Sequence, residues 1–220
     1  FQEFSERAKE KTLKNDYIRL QIYKNFGWNN NKNNGTLNNG VAYTGSNGGS
    51  LVFDGVDDYV SLNSGFADFT GGISVCAFAK FTSAGQYWER IIDFGNGAAS
   101  DNILLSRLGG SNDLWFEIRQ GSSGVLGINL SNGITNGTWN YYAATANGSV
   151  ATIYNSTTSA TGATSGLPSN LTRNNNYIGK SNWPDALFLG NIGNVFIYNR
   201  GLTTAEIQQN YNALKSRYNL

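Results

Sequence analysis

A chain of 220 residues carrying 14% charged residues, a net charge of +1 and no histidine gives no electrostatic reason to expect a nucleic-acid or acidic-membrane partner. It also lacks the base of serine–histidine or cysteine–histidine catalysis. Its hydrophobic fraction of 40% fills one main core, all-β sandwiches often reach this length as a single domain, and no stretch approaches the ~18 apolar residues that span a bilayer.

In chain order, residues 1–28 hold much of the charge, with Phe1, Phe4 and Ala8 at helix-like spacing among polar residues. We read residues 1–32 as a charged lead-in or anchor segment, either a solvated helix or strand or an amphipathic stretch that docks on a partner. Methionine is absent, including an initiator, so a processed end or a piece of a longer protein is expected. Residues 29–49 read as loop, with Gly35, Gly40 and the Gly48–Gly49 pair as breakers.

From residue 50 short apolar or alternating runs recur, each closed by turn residues: SLVF, DYVSL, ISVCAFAKF, YWERIIDF, NILLSRL, DLWFEIRQ, GVLGINL, TWNYYAATA, SVATIYN, NNYIGK and LFLGNIGNVFIYN. A spacing of roughly ten residues, with Asn-Gly, Gly-Gly and Ser-Gly between, predicts an antiparallel sandwich or barrel. In ISVCAFAKF, Ile73, Val75, Ala77, Ala79 and Phe81 share one face and Ser74, Cys76, Phe78 and Lys80 the other. Cys76, the lone cysteine, sits in this run as a small buried hydrophobe and excludes an intrachain disulfide. At the end, Thr203 or Thr204 caps a helix over 203–218 with Glu206 in its first turn and Ile207, Tyr211 and Leu214 on one face.

The order GTWNYYAATANGSVATIYN, NNYIGK, FLGNIGNVFIYNRGL and TTAEIQQNY, with the opening hairpin GGSLVFDGVDDYVSL, closely resembles the laminin-G-like family of concanavalin A-type jelly rolls. The resemblance covers about residues 33–218. It implies an all-β, antiparallel two-sheet jelly-roll sandwich with a C-terminal α-helix, in one domain over 33–220. It places Phe53, Tyr59 and Val60 in the core, with Val195, Ile197 and Leu202 anchoring the last strand and Trp139 and Tyr141 filling one face. The ending also resembles such domains in tailed-phage structural proteins.

Asp54, Asp57 and Asp58 fall within five residues, and three readings compete. Asp-Gly and Asp-Asp favour tight turns by bonding their own backbone, the simplest reading. A calcium site needs six to eight oxygens from several segments. The family resemblance implies an acid after Gly-x-Ile on the closing strand, but Gly193 stands there, followed by Asn194. Only a residual site from Asp58, backbone carbonyls and Asn194 would remain, so no metal or other cofactor is expected. For catalysis, family glycosidases carry Glu-x-Asp-x-x-Glu on a strand, and no such run exists here. The nearest acids, Glu89 and Asp93, would share a face of a regular strand about 13 Å apart at ~3.3 Å per residue, wider than either usual glycosidase separation.

Sugar sites pair exposed aromatic rings with carboxamides and charges. Two clusters qualify: Tyr87, Trp88, Arg90, Asp101, Asn102 and Arg107 in one stretch, and Trp183 with Asp185 beside Pro184 in the other. Packing is the alternative for Trp88, Trp115 and Trp183, and a structural Arg90–Asp101 ion pair the alternative for those two charges. The sequence thus predicts a non-catalytic structural or adhesion module on a virion surface or other extracellular assembly, in a multi-copy arrangement. Its partner would be a glycan or a neighbouring protein subunit. A calcium-dependent lectin and a glycoside hydrolase are the alternatives.

Overall fold

The computed structural model describes residues 17–19, 21–23, 34–64, 69–83 and 86–220. Among the described residues, sixteen strands precede one α-helix. They are β1 (Tyr17–Arg19), β2 (Gln21–Tyr23), β3 (Asn34–Asn38), β4 (Ala42–Thr44), β5 (Ser50–Asp54), β6 (Tyr59–Leu62), β7 (Ile73–Phe81) and β8 (Arg90–Gly95). Then come β9 (Ile103–Arg107), β10 (Leu114–Gln120), β11 (Ser123–Leu130), β12 (Asn140–Ala146), β13 (Val150–Tyr154), β14 (Ser159–Ala163), β15 (Asn175–Ile178) and β16 (Leu189–Tyr198). Helix α1 covers Thr204–Leu214, and a 3-10 turn, Lys215–Tyr218, finishes the chain.

Two sheets stack. The first runs β1-β3-β6-β15-β8-β9-β10-β11, and the second β14-β13-β12-β7-β16-β5-β4 with β2 added beside β16. Every pairing is antiparallel except that of β2 with β16, which is parallel. This is the two-sheet antiparallel sandwich with a C-terminal helix that the family resemblance implies. Within the 1–32 lead-in, β1 pairs with β3 in the first sheet and β2 with β16 in the second, so that much of it belongs to the sandwich. The helix-like spacing of Phe1, Phe4 and Ala8 lies outside the described residues.

The main core fills the space between the sheets. β7 is central in the second sheet, between β12 and β16, and its side chains are buried on both faces. Its Ile73, Val75, Ala77, Ala79 and Phe81 join the inter-sheet core. Cys76 and Phe78 point the other way, into a second cluster with Trp139, Tyr141, Phe196, Ile207, Leu214 and Tyr218. Each fully buried large side chain contributes about 1.5–3 kcal/mol. Tyr59 departs from expectation. Its neighbour Val60 takes the core position, and strand alternation turns Tyr59 to the outer face of the first sheet, edge-on to Tyr177 at 5.7 Å.

Helix α1 is held by a capping box. The Thr203 hydroxyl accepts from Glu206 N, and Glu206 accepts from Thr203 N at 2.9 Å. Ile207 and Leu214 seal its apolar side against the second sheet. The α-helix ends at Leu214, before the predicted 218, because the tighter 3-10 turn rotates Tyr218 onto Phe78, ring centroids 4.3 Å apart.

Candidate functional site

With α1 on the outer face of the second sheet, the outer face of the first sheet is left for the loop between β15 and β16. Ile92, Phe94, Leu105 and Phe116 face the core, so alternation sends Asp93, Leu104, Trp115 and Glu117 outward. The cross-strand pairs Tyr177–Asp93, Asp93–Leu104 and Leu104–Glu117 carry this row across four strands.

A bulge in β8 sets the centre of the site. The register shifts between Arg90 and Ile92, and the extra residue changes the strand's parity. Arg90, not Glu89, therefore lies on Asp93's side, with Nε 3.6 Å from the carboxylate. Glu89 and Asp93 do not share a face as a regular strand would have them. Both are fully buried, which takes them away from the solvent face where a substrate would sit.

Arg90 Nη1 donates to Trp88 O at 2.6 Å and Nη2 donates to Asp185 Oδ2 at 2.9 Å. Its guanidinium lies over the Trp88 ring at 5.3 Å and the Trp183 ring at 5.7 Å. The two predicted clusters thus meet on one cation. Trp88 takes a left-handed backbone, φ 57°, unusual for a bulky residue and a local strain that the surroundings must hold. Its N–H donates to Gly109 O at 3.0 Å, which fixes the turn. Both indoles are half-buried.

Beneath them Asp93 accepts from Asn182 N and Asn182 Nδ2, each at 2.9 Å, and from Asn102 Nδ2 at 3.0 Å. Burial pushes the Asp93 carboxyl up, while these donors and Arg90 oppose it. Burial likewise pulls the Arg90 guanidinium down against the fields of Asp93, Asp185 and Glu117. Ser181 Oγ donates to Asp185 Oδ2 at 3.0 Å and accepts from Trp183 N at 3.0 Å, so the loop is pinned at both ends of the indole.

The other predicted residues separate. Tyr87 is 65% exposed at the rim. Asn102 is buried as a support of Asp93. Asp101 does not pair with Arg90; it accepts from Gly121 N at 2.8 Å, and its carbonyl accepts from Arg173 Nε at 2.8 Å. Arg107 is fully buried and donates to Glu89 Oε2 at 2.8 Å, so no ligand reaches it. Sequence reasoning weighed Trp115 but missed Asn182 and the neighbours Glu117 and Arg119; Trp115 Nε1 donates to Glu117 Oε2 at 3.2 Å and Arg119 pairs with Glu117. The period-two pattern of LWFEIRQ was the available signal. An open depression of about 450 Å³ borders this row, lined by Glu117, Gly124, Gly127, Thr164 and Ser165. Also missed was a patch in which Lys180 Nζ lies 4.1 Å over Tyr59 and 5.0 Å over Tyr177.

The acidic run makes a hydrogen-bonded turn. Asp54 Oδ1 accepts from Val56 N at 2.8 Å, and Asp58 Oδ2 accepts from Asp54 N at 3.1 Å. The Val56 N–H holds Asp54 below the usual carboxylate range, and burial pushes Asp58 up. One oxygen from each of the three acids lies within 4.8 Å of the others. The family's calcium position does not fit this chain. A Cβ at Gly193 would lie 2.2 Å from Tyr218 Oη, and Tyr218 Oη donates to Asn194 Oδ1 at 2.7 Å. Asp54 pairs with Leu189, so the Asp58 end of the turn lies five residues along β16 from Asn194, roughly 16 Å at ~3.3 Å per residue. The Asp58 end of the turn and Asn194 thus sit at different points along β16.

A family model described as the concanavalin A-like lectin/glucanases superfamily matches residues 54–208. No curated protein sequence matches the chain. Among solved structures, the binding domain of botulinum neurotoxin serotype D/C superposes with a TM-score of 0.63 at 15% identity, covering 82% of this chain and 48% of that one. This chain therefore spans about half the length of that domain. Domain 4 of AbnA, an extracellular arabinanase from Geobacillus stearothermophilus, solved in complex with arabinotriose, gives 0.58 at 20% identity over 80% of this chain and 86% of that one. The CBM40 of the Ruminococcus gnavus IT-sialidase, solved with alpha2,3 sialyllactose, gives 0.53 at 14% identity over 68% and 93%. At these identities the likeness is one of fold.

Proposed function

The chain belongs to the concanavalin A-like lectin/glucanase superfamily, and from that premise we propose that it is a non-catalytic glycan-binding module. Its site is the outer face of the first sheet around Trp88 and Trp183. The observation that carries this reading is the convergence of two half-exposed indoles on Arg90 from segments 95 residues apart. The apolar face of a sugar ring stacks on such rings, while hydroxyls bond to the carboxylate and carboxamides around them. That Glu89 and Asp93 are both buried supports the non-catalytic part. Similar domains solved with arabinotriose and with alpha2,3 sialyllactose support a glycan as the ligand class.

In this reading the protein is a surface-exposed adhesion or structural module of a virion or other extracellular assembly. Its Asn-, Gly-, Ser- and Thr-rich loops suit many-copy display, where valency supplies strength. In this reading binding needs no calcium, which the Tyr218 hydroxyl against Gly193, the family's calcium position, supports.

The test is a glycan array probed with wild-type protein and Trp183→Ala, each with and without chelator. Wild type binds in both conditions and Trp183→Ala loses the signal. Chelator-sensitive binding would make the protein a calcium-dependent lectin instead. Hydrolysis of a polysaccharide that Glu89→Gln abolishes would make it a glycoside hydrolase.

A further inference from the structure

Resting on the reading of the Trp88–Trp183 face as a sugar site, we infer that the sugar stacked there is neutral, and that residues bearing a carboxylate or sulfate are turned away. A guanidinium would be the natural partner for an anionic sugar, but Arg90 is only 3% exposed. Its guanidinium lies against both indoles, Nη1 and Nη2 donate to Trp88 O and Asp185, and the buried Nε lies 3.6 Å from Asp93. Two carboxylates, Asp93 and Asp185, already share this one cation, and Glu117 adds a third negative field across β9.

The charge that does reach solvent at the indoles is Asp185, whose side chain is 22% exposed. Its Oδ2 accepts from Arg90 and Ser181. Among the described residues no donor bonds to Oδ1, which leaves that atom as an acceptor for a sugar hydroxyl. A hydroxyl donates to it; a second carboxylate or a sulfate at the same distance is repelled and offers no proton. Arg90 is then a positioning residue that holds the two rings and Asp185 in place. Lys180, a half-exposed cation with no carboxylate partner among the described residues, is engaged over the Tyr59 and Tyr177 rings.

The experiment is an array in which each neutral oligosaccharide is printed beside its sialylated, uronic-acid or sulfated counterpart, probed with wild type, Asp185→Asn, Lys180→Ala and Trp183→Ala. Wild type binds neutral members and binds their charged counterparts at least about tenfold more weakly, about 1.4 kcal/mol. Asp185→Asn narrows that ratio, Lys180→Ala leaves neutral binding unchanged, and Trp183→Ala abolishes it. Charged members bound as tightly as neutral ones by wild type would overturn the inference while leaving the glycan-binding reading intact. So would binding that disappears with Lys180→Ala, which would move recognition to the tyrosine patch. Silence of the wild type on every glycan would overturn both.

Discussion

Glu89 Oε2 accepts from Arg107 Nε at 2.8 Å, and neither side chain has any solvent exposure. The remaining donors of Arg107 are also taken: Nη1 donates to Ser111 O and Asn112 Oδ1, and Nη2 donates to Ser83 O and Asn136 Oδ1. All five N–H groups of the guanidinium are thereby satisfied. Glu89 Oε1 accepts from Leu189 N at 3.1 Å, tying in the start of β16. Breaking a buried pair from one side leaves an uncompensated charge and costs about 3–5 kcal/mol. Arg107→Met is expected to lose that much in denaturant unfolding. The double change Glu89→Leu with Arg107→Met recovers only part of it, because Ser83 O, Ser111 O and Asn136 Oδ1 lose their Arg107 donors. Full recovery of wild-type stability would mean that the loops do not depend on Arg107.

Trp88 offers a way to separate binding from folding. Asparagine tolerates a left-handed backbone far better than most residues, and Trp88 sits at φ 57°. Trp88→Asn is expected to keep its melting temperature near that of wild type and to lose glycan binding. A variant that binds normally would remove Trp88 from the site.

Gly193→Asp supplies the carboxylate that the family places on the closing strand. Here the side chain would meet the Tyr218 ring, whose Oη lies 2.2 Å from the would-be Cβ. Overpacking of this kind costs about 1–3 kcal/mol, and loss of the Phe78–Tyr218 stack adds to it. Thermal scans are expected to show a lower melting temperature that added calcium does not raise. A calcium-dependent recovery would show that the position remains usable.

The pH dependence of α1 follows from Glu206. Hydrogen bonds from Arg200 first, and from Thr203, lower its carboxyl to about 2. A carboxylate depressed in the folded state adds stability that is complete above its unfolded value near 4.5. That contribution disappears as pH falls from there toward about 2. Both Arg200 and Glu206 are 34% exposed, so salt weakens the pair. Glu206→Gln is expected to flatten this part of the stability–pH curve; an unchanged slope would show that other acids set it.

Much of this fold can be read directly from the residues. Period-two alternation sorts β7 into Ile73–Phe81 and Cys76–Phe78 faces, and Thr203 with Glu206 marks the helix start. Tyr59 is misread because adjacent strand residues cannot both face inward, and a motif names residues without naming faces. Arg90 is harder. A one-residue bulge changes which neighbour meets Asp93, and nothing in YWERIIDFG signals it. Arg107 looks like a surface charge because its partners, Glu89 and Asn136, lie on other segments. The two tryptophan clusters are each visible locally. Their meeting depends on β15 lying beside β8, a consequence of topology rather than of local spacing.

The residues before the family match also matter to solubility. β1 covers the outer hydrogen-bonding rim of β3, and β2 covers β16 alongside Phe196, Ile197 and Tyr198. A chain trimmed to start at residue 34 would bare both rims at once, on different sheets. Bare strand edges recruit further strands, so such a truncation should self-associate even with its inter-sheet core intact.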